Sequence, residues 1–378
     1  MSVRQQVRTV LCGAALAGLV LTTTQGIATA APAPGGGAKV SPVRAAEDAA
    51  ARALARSLTD DAWRAEVGRA VADGDDIGLK ALAAGSRTGA GAALAADVAR
   101  ADRSVLAAKG LPPGVGGLLT VTPAGDPGSR RAPLVAVAPT DDEAAAVTAY
   151  DSAGRAHTLD ATEAPDVPVY VVGVDGEKAV EAGLEVLERE LAAAGVTTAD
   201  AAAAVSATGA ASAAATGYWT SRITSVYVAD DKETWIKGDA EIFSIVSGFG
   251  LDGKVRVDTV THPYLDNAET TYYPNQILVN WSQYKYNLAD VVMMEDDGDT
   301  NYSSLAKAIA AALLTITDLG AYIPLVDPVV DAIPASFWTD DADFVDAWYT
   351  LARETTGTRN GAGGNGRFTF DRYWVSAL

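Results

Sequence analysis

The sequence predicts an α+β protein: a mainly helical and then mixed N-terminal region, a linker, and a C-terminal antiparallel β-sandwich-like domain with a helical insertion. Two observations carry this reading. Before residue 217 the 378-residue chain is dominated by Ala, Leu, Arg and Asp, with apolar residues at helical spacing. After it the composition changes abruptly. All six Phe, six of the seven Trp and eleven of the thirteen Tyr lie beyond Gly217, mostly in runs that alternate or carry β-branched residues.

In chain order, residues 1–30 read as a cleavable secretory signal. Arg4 and Arg8 supply the positive start, Val10 opens an apolar run, and Ala28-Thr29-Ala30 is a small-residue cleavage site. Cys12, the one cysteine, lies inside this segment, so an exported mature chain is expected to be disulfide-free. Leu11 stands where a lipoprotein signal needs a small residue, which argues against a lipid anchor. A full-sized core or a bound metal must then stabilise the chain. Residues 31–42 form a flexible Pro/Gly/Ala leader. Residues 43–110 form a helical region: Leu54, Leu58, Trp63, Val67 and Val71 recur at helical spacing, and Thr59-Asp60-Asp61 marks a break and cap.

A small mixed α/β region covers residues 111–196. It opens with a Pro/Gly connector over residues 111–128. Strands are expected at 133–137, 146–150 and 168–174, and a helix at 177–195. The Ala/Ser/Thr tract over residues 197–217 reads as a linker. The β domain, residues 218–378, has candidate strands at 223–228, 240–246, 254–261, 276–281, 290–294 and 368–375. A helix is expected at 304–315. Its Leu305, Ile309, Leu313 and Ile316 share one face, and Lys307 and Asp318 argue against a membrane span.

The formal net charge of −19 argues against nucleic acid or anionic lipid as a partner, since both need Lys/Arg patches. Three acidic clusters stand out in the β domain. The first is Asp230, Asp231, Glu233, Asp239 and Glu241. The second is Glu295, Asp296, Asp297, Asp299 and Asn301. The third is Asp340, Asp341, Asp343 and Asp346. Carboxylates crowded on turns repel unless water or a cation separates them. Ca²⁺ takes six to eight hard oxygens, which short Asp-rich loops can wrap around it, and it is the expected ion. Asp297-Gly298-Asp299-Thr300-Asn301 matches the first half of an EF-hand loop. The match then fails, with Tyr302 in place of Gly and Ala308 in place of the closing Glu. The competing reading is solvated loops and helix caps.

Enzyme motifs are absent from the sequence. Only His157 and His262 exist, and no zinc-protease, Gly-x-Ser-x-Gly or phosphate-loop pattern appears. His262 reads as a turn residue at a strand end. A glycosidase needs only two carboxylates, for which Glu241 and Glu295 are the obvious pair. Trp219, Trp235, Trp281, Trp338, Trp348 and Trp374, with Tyr264, Tyr272, Tyr273, Tyr284 and Tyr286, are either core or a sugar-stacking surface. One residue each of Tyr272-Tyr273 and of Tyr284 and Tyr286 is expected to face water.

The stretch from Asp231-Lys232-Glu233-Thr234-Trp235 through Gly238-Asp239-Ala240-Glu241-Ile242-Phe243, the run Met294-Glu295-Asp296-Asp297, and Trp338-Thr339-Asp340-Asp341-Ala342-Asp343 through Trp348-Tyr349 carry a resemblance. Over residues 218–378 the chain resembles an uncharacterised family of secreted bacterial proteins, known as a domain of unknown function. The resemblance implies secretion and assigns no activity. The expectation is a secreted, non-enzymatic protein with a Ca²⁺-binding β domain. The alternatives are an extracellular carbohydrate-binding module, or a carboxylate-dependent hydrolase. Expected partners are an extracellular glycan or protein.

Overall fold

The computed structural model describes residues 40–73, 76–126, 129, 131–138, 145–199, 217–230, 240–296, 298–333 and 344–376. The expected signal and nearly all of the leader lie outside them. Four helices come first: α1 (Pro42–Ser57), α2 (Asp61–Asp73), α3 (Leu79–Gly85) and α4 (Gly89–Ala108). Helix α1 buries Val43, Ala46, Glu47, Ala50 and Leu54, a single stripe at helical spacing. The break before α2 falls where expected: Asp60 accepts the Trp63 backbone N–H at 2.8 Å, and the Trp63 ring is fully enclosed. Thr88 caps α4 in the same way, accepting from the Gly91 N–H at 3.0 Å.

These helices pack on a six-stranded sheet of order β1-β2-β6-β3-β4-β5. Its strands are β1 (Ile77–Gly78), β2 (Leu119–Gly125), β3 (Leu134–Val137), β4 (Ala146–Tyr150), β5 (Ala156–Asp160) and β6 (Pro168–Val174). Every pairing is antiparallel except β3 with β6. Strands β4 and β6 have the bounds expected from sequence. Strand β2 corrects the connector expected over 111–128. Its Leu119 and Val121 are buried, and Pro123 made the run read as a turn. The proline is tolerated because β1 ends opposite Val121, leaving β2 an edge strand at that point.

Helix α5 (Gly176–Ala194) follows β6, capped by Asp175 and ended by Gly195 at φ 103°. The tract after it begins on a sheet edge: Thr197 N–H donates to Val255 O at 3.0 Å, and Val257 N–H donates to Thr197 O at 2.9 Å. Residues 200–216 of that tract lie outside the described residues.

The remaining chain supplies β7 (Gly217–Val228), β8 (Ile242–Gly250), β9 (Val255–Thr261), β10 (Thr271–Tyr272), β11 (Gln276–Asn280), β12 (Tyr284–Glu295), β13 (Phe344–Ala352), β14 (Gly357–Asn360) and β15 (Gly366–Ser376). Helices α6 (Tyr302–Leu313) and α7 (Val326–Ala332) interrupt them. Two antiparallel sheets form, β10-β7-β15-β14 with β11 also on β7, and β13-β12-β8-β9. They close on one core, with Ile223, Val226, Phe368 and Phe370 facing Val246, Val291, Met293 and Trp348. This is the expected sandwich.

All nine residues of β8 are buried. Its sheet is covered on the outer side as well, by α5 on β9 and α7 on β12 and β13. A strand buried on both faces carries apolar residues at successive positions, as Ile242-Phe243 and Ile245-Val246 do here, with the small Ser244 and Ser247 between and after them. Helix α6 starts two residues earlier than expected and buries Leu305, Ile309 and Leu313. It packs on α5 where a Cβ on Gly183 would collide with the Tyr302 ring, so glycine sets the closeness of the two helices. Among the described residues no helix is long and apolar enough to cross a membrane. Pro42–Leu378 holds together as one unit.

Candidate functional site

Strand pairing brings the described residues that flank the three acidic clusters to one end of the sandwich. The start of β8 pairs with the end of β12 (Ile242 opposite Glu295), and Met294 near that end pairs with the start of β13 (Phe344). In the other sheet the end of β7 pairs with the start of β15, Val228 opposite Gly366. Asn365 bridges the two sheets there, donating from Nδ2 to Asp230 O at 3.0 Å and to Val345 O at 3.3 Å. The strand ends next to the first, second and third clusters therefore share one edge. Sequence alone could not show this, because it follows from strand order.

The same end borders a cleft of about 600 Å³. One wall comes from Asp76 and Thr122 beside β1 and β2, and another from Asp175, Glu177 and Glu181 at the start of α5. Glu241 and Asp266, which flank β8 and β9, complete it. Six carboxylates thus line the cleft, and no Lys or Arg is among its described lining residues. Charges of one sign in a concave wall raise the local concentration of counter-ions. Glu241 lies against Gly176, the first residue of α5, where a Cβ would overlap its carboxylate. That contact sets the carboxylate at the positive end of a 19-residue helix. Asp175 caps α5, accepting the Lys178 N–H at 3.1 Å, and Asp76 accepts from the Thr122 hydroxyl.

Several residues of the clusters serve the fold. Asp296 is fully buried against Lys109, whose Nζ donates to Oδ2 at 2.9 Å, to Oδ1 at 3.1 Å and to Gly298 O at 2.8 Å. Tyr302 donates its hydroxyl to Asp296 Oδ2 at 2.7 Å, and the Gly298 N–H donates to Oδ1 at 3.2 Å. Glu47 of α1 is also buried. Desolvation pushes its carboxyl up to about 8, against the pull of Arg44; Asp299 raises it and Lys109 lowers it. Asn301 caps α6, accepting from Ser304 N–H at 2.9 Å, and donates from Nδ2 to Ala108 O at 2.6 Å.

Asp346, on β13, is enclosed by the turn between β14 and β15. It accepts from Ala347 N–H at 2.8 Å and from Gly363 and Gly366 N–H at 2.6 Å each. Burial raises its pKa, and these backbone donors pull it down. Glu295 is buried on the sandwich-core face, since it pairs with the core residue Ile242. Glu241 lies on the α5 side, so the obvious glycosidase pair falls on opposite faces of the sheet. Asp299 is half-buried. Asp231, Glu233, Asp239, Asp297, Asp340, Asp341 and Asp343 lie outside the described residues. Among the described residues, no three Asp, Glu or His side chains gather closely enough to hold a metal.

His262 opens the expected turn, accepting from Leu265 N–H at 3.0 Å, and its ring is buried. Nε2 meets Ser244 Oγ at 2.8 Å, while Nδ1 meets Gln276 Oε1 at 2.9 Å and Tyr264 OH at 3.0 Å. Both His262 and Ser244 are fully enclosed, and the third member is an amide and a phenol, so the trio is a core network. Burial pushes the imidazole down to about 4. Trp281, Trp348 and Tyr284 are core. Tyr273 faces water, as one of its pair was expected to, and Tyr286 is half-buried. Trp219 and Trp374 pair across β7 and β15 at 5.2 Å and remain 37% and 38% exposed, with Arg372 over the Trp219 ring. Trp235 and Trp338 lie outside the described residues. Sequence reasoning missed Lys109 and Asp290. No local signal marks Lys109, whose partner lies 187 residues away. Asp290 is a lone acid in an apolar strand, a pattern that could have been read as a buried anchor.

Fold and site together define an α+β protein with a two-sheet sandwich and a carboxylate-lined cleft beside its acidic end. The chain belongs to the family described as a protein of unknown function (DUF3103), whose model matches residues 51–377. That match takes in the helices and the six-stranded sheet, well beyond the region where the sequence resemblance was seen. No curated protein and no solved structure matches the chain.

Proposed function

We propose that this is an exported, non-enzymatic protein that binds Ca²⁺ at the acidic end of its sandwich, beside the cleft. The supporting observation is that the described strand ends flanking all three acidic clusters lie at one end of the sandwich. Glu241 links the two features, since it belongs to the first cluster and lines the cleft. Asp231, Glu233, Asp239, Asp297, Asp340, Asp341 and Asp343 are the remaining candidate ligands. A hard, oxygen-seeking ion with flexible coordination suits carboxylates delivered by several loops. Its binding to the folded chain alone would raise stability by mass action. The test is a thermal melt of the full chain in millimolar Ca²⁺, in Mg²⁺ and in chelator. A rise of several degrees with Ca²⁺ alone, lost in Glu241→Gln combined with Asp239→Asn, supports the reading. Identical melts in all three sink it.

A second reading rests on the Trp219 and Trp374 pair. Two exposed indoles with a stacked guanidinium make an apolar, polar-edged surface of the kind that stacks on sugar rings. Glycan binding lost in Trp374→Ala and insensitive to chelator would favour it.

A further inference from the structure

We propose that Lys109 and Asp296 become covalently joined, their side chains condensing to an amide that ties the end of α4 to the end of β12. Both side chains are fully enclosed, with Nζ 2.9 Å from Oδ2 and 3.1 Å from Oδ1. Their neighbours stand where such a reaction needs them. The Gly298 carbonyl accepts from Nζ and fixes the nitrogen. The Tyr302 hydroxyl and the Gly298 N–H donate to the two carboxyl oxygens, so negative charge that develops on oxygen during attack meets a donor already in place.

The step balances without any other reactant. The reacting forms are a neutral amine and a neutral acid, reached when one proton crosses from the ammonium to the carboxylate over the 2.9 Å contact. The amine lone pair attacks Asp296 Cγ. The new C–N bond forms and the C–OH bond breaks. The hydroxyl leaves as water with a proton from nitrogen. Ammonium plus carboxylate thus give one amide and one water. Amide formation in bulk water is uphill, but this pair is held in contact; effective molarities for well-oriented groups reach about 10⁵ M or more. Exclusion of water also protects the product. The link closes a loop spanning 187 positions, the role a disulfide plays in chains that have cysteines to spare.

The experiment is mass spectrometry on the purified full chain. Expected are an intact mass one water below that of the unlinked chain, and a digest in which the Lys109 peptide is joined to the Asp296 peptide. Lys109→Met removes the joined species. Folded wild-type protein that yields only the two separate peptides overturns the proposal. The readout is a mass, which a merely structural ion pair cannot change.

Discussion

Asp346 gives the sharpest division between a metal ligand and a fold anchor. Its two oxygens accept three backbone N–H groups, from Ala347, Gly363 and Gly366. Asp346→Ala strands these donors. Gly363 is exposed and regains water, whereas Ala347 and Gly366 are buried and do not. Two unpaired buried donors at roughly 1–3 kcal/mol each put the expected loss at about 4 kcal/mol, near the top of the range for single substitutions. At roughly 2 °C per kcal/mol for a chain of this size, the melting temperature falls by about 8 °C. Asp346→Asn keeps one acceptor but turns an amide NH₂ toward a backbone N–H, and is expected to cost about half as much. Urea denaturation of the full chain, run in chelator and again in Ca²⁺, measures both. A loss below about 1 kcal/mol, or one that appears only in Ca²⁺, would refute the anchoring argument.

Three further outcomes follow from the core. The depressed pKa of His262 means that the unfolded chain takes up its proton first, so stability is full above about pH 6.5 and drains as pH falls toward about 4. At pH 5 the loss should be about 2 kcal/mol, and His262→Gln should flatten that slope; parallel pH profiles for the two proteins would count against it. Gly183→Ala drives a methyl into the Tyr302 ring and should cost about 1–3 kcal/mol by forcing α5 and α6 apart, with an unchanged melt as the contrary result. Asp290 accepts from Tyr322 OH at 2.7 Å and from Leu325 and Thr350 N–H at 2.6 Å each. Asp290→Ala should therefore loosen the segment before α7, where Leu319 is 79% exposed, and speed proteolytic nicking there; wild-type resistance would argue that the loop is held by other contacts.

What the sequence made legible was local. Strands β4 and β6 and helix α5 announced themselves because their apolar periodicity and their turn or cap residues lie side by side. The doubly buried β8 and β12 were visible as apolar runs, though their full lengths were not. Strand β2 was hidden by Pro123, and β13 by the acids that precede it, since both look like loop chemistry until their neighbours are known. The same limit governs the site. Fourteen residues of the acidic clusters were candidates from sequence, but the uses of Asp296, Asp346 and Glu241 are set by partners elsewhere in the chain: Lys109 for Asp296, the Gly361-to-Gly366 hairpin for Asp346, and Gly176 for Glu241. Those pairings are properties of topology. The cleft belongs to the same class, because its carboxylates come from four separate stretches of chain.

The pairing of β7 with β15 sets the order in which this protein can be assembled. Strand β7 opens the sandwich, and its neighbour on one side is the last strand of the described chain, bonded to it from Gly366 opposite Val228 to Ser376 opposite Gly217. Any machine that delivers the polypeptide from its N-terminus, a ribosome or a translocation pore, must hand over every other strand before that partner emerges. Until then β7 presents a long row of unmet backbone donors and acceptors, an invitation to pair with the wrong chain. A polypeptide stopped before Gly366 lacks the inner strand of a sheet, and a fusion spliced in before Ser376 splits it. The sandwich therefore stays open, and its chain threadable, until β15 has been delivered.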